Sequence, residues 1–125
     1  MDMPPPEALT LFGRTLLNTL DNHSARALFR LILGEAVRRP MVAEMLNTIG
    51  PGRGFAFLSR YLAQQMDKGV LRRADPGAAA RCFVGPLIAY VLTREVFRQP
   101  DSETLDAETM VATAVAMFLE GMAIS

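Results

Sequence analysis

The side chains in this sequence that can do chemistry are few and scattered. His23 is the single histidine and Cys82 the single cysteine, and neither has a partner at the spacing that a nucleophile–base pair or a metal site requires. His23 stands between Asn22 and Ser24, residues that form turns and cap helices, so a surface position is expected. Cys82 has no CxxC companion and lies in an apolar stretch, which predicts a buried, inert thiol. Asp101, Glu103, Asp106 and Glu108 can gather a cation, yet their spacing fits no calcium loop, and charge at helix ends accounts for them. Gly50-Pro51-Gly52-Arg53-Gly54 has the outline of a phosphate-cradling loop. It lacks the preceding strand and the Lys-Ser/Thr ending, so a turn is the better reading. Tyr61 and Tyr90 can orient a polar ligand group, or simply give their hydroxyls to water or a backbone carbonyl. No catalytic set, metal site or cofactor site follows from these residues, and an enzyme is not expected.

The remaining chemistry is that of apolar binding. The chain holds eight methionines, seven phenylalanines and two tyrosines but no tryptophan, and flexible thioethers suit sites that admit varied apolar molecules. At 125 residues a single domain, 1–125, is expected. Half of the residues are hydrophobic and 21% charged, as in globular chains. Thirteen basic residues balance thirteen acidic ones, so no electrostatic footprint for nucleic acid exists. Lys68 is the only lysine beside many arginines, which hints at a G+C-rich bacterial coding sequence. The lone cysteine excludes an internal disulfide and fits a reducing compartment, hence the cytoplasm. Met1 to Pro6 carries no secretory pattern. The longest uncharged run, Cys82 to Thr93, falls short of the roughly 20 residues that cross a bilayer.

The elements that must position the apolar residues are helices, because apolar residues recur at helical spacing nearly throughout. Six are predicted. The first runs from Glu7 to Leu20 with Leu9, Phe12, Leu16 and Leu20 on one stripe. The second follows the cap formers Asp21, Asn22 and Ser24 and carries Ala25, Leu28, Phe29, Ile32 and Ala36, ending before Pro40. The third covers Met41 to Thr48, with Met41, Val42, Met45, Leu46 and Ile49 on one face. The fourth opens at Pro51, bears Phe55, Leu58, Leu62 and Met66 widened by Phe57 and Tyr61, and ends at Gly69. The fifth opens at Asp75-Pro76 and reaches about Arg98, with a bend expected after Gly85 because Pro86 lacks an amide donor and crowds the Cys82 carbonyl. The sixth is capped by Asp106 and runs through Met122.

The last two helices differ from the others. Cys82 to Thr93 and Thr109 to Leu119 carry no charge on any face, so one apolar side faces the core while the other needs a cover. A two-fold dimer in which both helices meet their symmetry mates supplies one, as a four-helix interface through Ile88, Val91, Leu92, Met110, Val111, Ala114, Val115 and Phe118. A monomer whose other four helices wrap these two supplies another.

The order of segments then becomes informative. Leu28-Phe29-Arg30-Leu31-Ile32 with Glu35 and Ala36, Arg39-Pro40, and Gly50-Pro51-Gly52-Arg53 are followed by Tyr61-Leu62 and Gly69-Val70-Leu71-Arg72. Asp75-Pro76, Ala79-Ala80-Arg81, Phe83-Val84-Gly85 and Met117-Phe118-Leu119-Glu120-Gly121 come after them. This succession resembles the C-terminal region of TetR/AcrR-type transcription regulators, especially the AefR-like subset, over nearly the whole chain. No counterpart of that family's helix-turn-helix head precedes Glu7, so contact with DNA is expected only through a head that this chain lacks.

The resemblance implies an all-α helical bundle that dimerises through its last two helices and binds a hydrophobic or amphipathic effector between its helices. The implied lining is Phe12, Leu16, Phe29, Phe55, Leu58, Tyr61, Phe83, Leu87 and Tyr90. Binding would shift the spacing of the heads and release DNA. Two rivals stand beside this sensor: a structural dimerisation module with a solid interior, or a stand-alone helical binding protein. The solid module is separated from a sensor by whether a cavity of about 300 Å³ or more lies between the helices. A small helical enzyme is disfavoured by the lack of paired catalytic groups.

Overall fold

Two kinds of punctuation, proline at helix starts and acidic caps, divide the chain. The computed structural model describes residues 3–19, 23–49, 51–100 and 104–124, apart from the side chains at 23–26, 49 and 51. Among the described residues there are six α-helices and one π-helical turn. They are α1 (Pro5–Asn18), α2 (His23–Arg38), α3 (Pro40–Ile49), α4 (Pro51–Asp67), α5 (Pro76–Val91) and α6 (Ala107–Met122), with the π-helical turn over Leu92–Val96 following α5. The fold is all-α, as the 3.6-residue periodicity predicts.

The caps work as their chemistry dictates. Pro5 and Pro6 open α1, Pro40 opens α3 and Pro51 opens α4, positions where the missing N–H would have no partner in any case. At the end of α4, Gly69 takes φ +76°, its N–H donates to the Met66 carbonyl, and the Val70 N–H reaches the Gln65 carbonyl. That pair of bonds needs a left-handed residue, which glycine adopts without a Cβ penalty. The Ala78 N–H donates to Asp75 Oδ1 at 2.9 Å.

At α6 the Thr109 N–H donates to Asp106 Oδ1 at 2.7 Å. That main-chain donor, with a further hydrogen bond from the Thr109 side chain, holds the Asp106 carboxyl below its ordinary value of 3.8. A carboxylate depressed by folding stabilises the fold fully above the unfolded value, and the contribution is lost as pH falls through the lower folded one. Asp106→Asn keeps the cap but not the charge. Its melting temperature is expected to fall less than that of the unaltered chain between about pH 5 and about pH 2; coincident curves from scanning calorimetry would refute the assignment.

The core forms where α1, α4, α5 and α6 meet. Phe83, Leu9, Leu58, Leu62, Leu87 and Val111 are its largest fully buried side chains. The Phe83 ring meets Phe118 edge-on at 5.5 Å and lies tilted to Phe12 at 6.4 Å. Helix α1 approaches α6 closely and α5 less so, while α4 packs against α5 and α3. Gly13 permits the α1–α6 approach, since a Cβ there would stand 3.0 Å from Val111 Cγ1. The link after α4 is pinned to the end of α6: the Arg72 main-chain N–H donates to the Met122 carbonyl, and its Nε donates to the Gly121 carbonyl at 2.6 Å.

Three expectations are corrected. The stripe on α2 and α3 is only half covered: Phe29, Ile32, Val42 and Leu46 are partly buried, whereas Leu28, Met41 and Met45 are more than half exposed. These two helices pack chiefly on each other, with α3 also on α4 and α2 on the π-helical turn, so a single flank finds cover. Helical winding continues through Pro86 and changes to a π-helical turn at Leu92–Val96 rather than running unbroken to Arg98. Cys82 is exposed rather than buried, because position 82 lies on the side of α5 away from Ala79, Ala80, Phe83 and Leu87.

Helices Pro76–Val96 form a 21-residue stretch that meets the length and composition of a membrane span. It buries Phe83, Leu87, Tyr90 and Val91 in the chain's own core, carries Arg81, Arg94 and Glu95 along it, and leaves much of its remaining surface uncovered.

Candidate ligand cavity and outer helix face

A cavity opens between α1 and α4 because both helices lean on other neighbours and their backbones barely approach each other. Side chains alone bridge the gap. Leu9, Phe12 and Thr15 face Phe57, Leu58 and Tyr61 across it, with Met3, Ala8 and Leu11 completing the wall, around a space of about 180 Å³. No charged residue belongs to this described lining. The polar groups are the Thr15 hydroxyl, the Met3 main chain and the Tyr61 hydroxyl, which donates to the Met3 carbonyl. Burial pushes the Tyr61 phenol above its ordinary value of 10.0, so it is a neutral donor throughout the physiological range.

Of the nine lining residues that the family resemblance implied, the structure brings three, Phe12, Leu58 and Tyr61, to this cavity. Phe83, Leu87 and Tyr90 are buried core. Leu16 is partly buried against that core. Phe29 likewise rests on it from α2, and Phe55 is covered by the Arg81 guanidinium, 4.7 Å above its ring. The Tyr90 hydroxyl donates to the Leu105 carbonyl at 2.8 Å and accepts from Arg94. Met3, Ala8, Leu11, Thr15 and Phe57 were not legible as lining residues, since Leu11 and Phe57 lie off the main stripes and Met3 precedes the first helix.

Residues 7–121 match one described family, the AefR-like transcriptional repressor C-terminal domain. The chain belongs to this family. No curated protein and no solved structure matches it significantly.

In this AefR-like domain the last two helices present a second feature, a shallow groove of about 420 Å³ along the outside of α5 and α6. Cys82, Pro86, Thr113 and Met117 lie along it, with Arg72 and Asp75 at one end. Met117 is 69% exposed. Of the residues named from sequence for a dimer seam, Met110, Ala114 and Phe118 line this groove and Ile88 is exposed, while Val91, Val111 and Val115 are buried in the domain's own core and Leu92 is partly buried. On a helix without charges the inner and outer faces look alike in sequence.

The other groups considered for chemistry stay apart. No set of three or more metal-ligating side chains occurs among the described residues. Glu108 pairs with Arg14 at 3.0 Å and Asp106 is a cap, while Asp101, Glu103, Gly50 and the His23 side chain lie outside the described residues.

Proposed function

We propose that this domain is the small-molecule-sensing and dimerisation part of a TetR-like repressor acting in the bacterial cytoplasm, with ligand binding relieving DNA binding by the regulator's head. The supporting observation for sensing is the uncharged cavity between α1 and α4, at the place where the fold leaves two helices unsupported by each other. Its 180 Å³ is below the roughly 300 Å³ that would favour a sensor of drug-sized molecules, and with Leu11 and Phe57 exposed at its wall it is a cleft open to solvent, with room for a molecule about the size of a single ring. The effector is therefore a compact apolar molecule. Dimerisation is supported by the largely apolar groove outside α5 and α6, where Met117 is exposed and the only charged residues of the described lining are Arg72 and Asp75 at one end.

Thermal denaturation against a panel of neutral single-ring compounds tests the sensing role. A compound at ten times its Kd stabilises the fold by about 1.4 kcal/mol, raising the melting temperature by roughly 4 °C for a chain of this size. Ala8→Leu, which fills the cavity, should abolish the rise. If every compound leaves the melting temperature unchanged and none copurifies with the chain, the domain is a solid dimerisation module.

A further inference from the structure

The best polar group in the cavity is already engaged. Tyr61 is 4% exposed, its ring lines the cavity, and its hydroxyl donates to the main-chain carbonyl of Met3, 58 positions earlier. Met3 is also part of the cavity wall. The segment that holds it there is stiff: Pro4 is extended (φ −61°, ψ 149°), Pro5 and Pro6 restrict the next two residues, and the Ala8 N–H fixes the Pro4 carbonyl at 2.9 Å. A buried hydroxyl deprived of its acceptor is penalised far more than one that exchanges acceptors.

We propose that the Met3 main chain is an internal competitor for Tyr61, and that the effector is a neutral single-ring molecule bearing one acceptor oxygen, which replaces the Met3 carbonyl. This rests on the sensing role given above and adds the ligand's class and its first action on the chain. An oxygen-bearing guest takes over the Tyr61 hydroxyl as Met3 leaves, so no buried donor is stranded. A pure hydrocarbon of equal size must either fit beside Met3 or leave the hydroxyl unpaired. The uncharged wall selects against carboxylates and amines, which would be desolvated without a counter-charge. Departure of Met3 enlarges the space and frees the proline segment entering α1, so occupancy is converted into movement at that end of the domain.

Acetophenone and cumene, each a single ring with the same number of non-hydrogen atoms, separate the possibilities. Binding is followed by calorimetry and by the methyl signal of Met3 in methionine-labelled protein, assigned with Met3→Leu. Acetophenone is expected to bind about fivefold more tightly than cumene, the worth of one net hydrogen bond, and to shift the Met3 signal. In Tyr61→Phe the preference should vanish while cumene still binds. In Met3→Gly, where the competing segment is loosened, acetophenone should bind at least about threefold more tightly, since less of the protein is held in the closed form. Equal affinity for the two probes with an unmoved Met3 signal overturns the inference and leaves the sensing role standing. Failure of both probes to bind, in Met3→Gly as well as in the unaltered chain, overturns both.

Discussion

A Met117→Glu variant is expected to give a mass of 13.7 kDa by light scattering at low micromolar concentration, and the unaltered chain is expected to give twice that value. Met117 is the most exposed of the large apolar side chains lining the outer groove, at 69%, so the change should leave the fold and its circular dichroism intact. On a two-fold interface each substitution acts twice. Two carboxylates forced into an apolar seam without counter-charges cost several kcal/mol, and every 1.4 kcal/mol weakens association tenfold. Retention of the dimer by the variant would place the interface away from the α5–α6 groove. A monomeric unaltered chain would remove the dimer from the functional reading and favour a self-contained binding domain.

Phe83→Ala is expected to lower the free energy of unfolding by about 3–5 kcal/mol, out of about 5–15 kcal/mol for a typical domain. Phe83 has no exposed surface and touches rings from both α1 and α6, so truncation opens a hole that three helices must collapse to fill. Urea denaturation should show a midpoint shifted strongly downward, and Phe83→Leu should recover most of the loss because it conserves more volume. A shift under about 1 kcal/mol would mean that the α1–α5–α6 junction is looser than its geometry.

The helices were readable from sequence because their boundaries are written in local chemistry: Pro40, Pro51, Asp75-Pro76, Gly69 and Asp106 each act within one turn of themselves. The stripe of α4 was readable for a related reason, since Leu58, Leu62 and Met66 face a core on one side and Arg60, Gln64 and Asp67 face outward. Sidedness was not readable where polarity gives no contrast. On α5, Cys82 and Phe83 are neighbours in an uncharged run, and only the packed fold distinguishes the exposed thiol from the buried ring. Half of the cavity wall was invisible for another reason. Met3 reaches Tyr61 across 58 positions, a pairing set by how α1 and α4 lean on third parties, and no periodicity encodes that.

The glycine at position 13 bears on how this domain can deform. With Val111 seated against bare backbone and Arg14 paired with Glu108 one turn away, α1 and α6 are held closely together as a pair. Helix α4, carried by α5 and α3, forms a second pair with α3, and the two meet along α5 and at the Arg72 pin. Were a ligand to part α1 from α4, the close α1–α6 contact would carry α6 along with α1, and α5, which touches both pairs, would be the hinge between them.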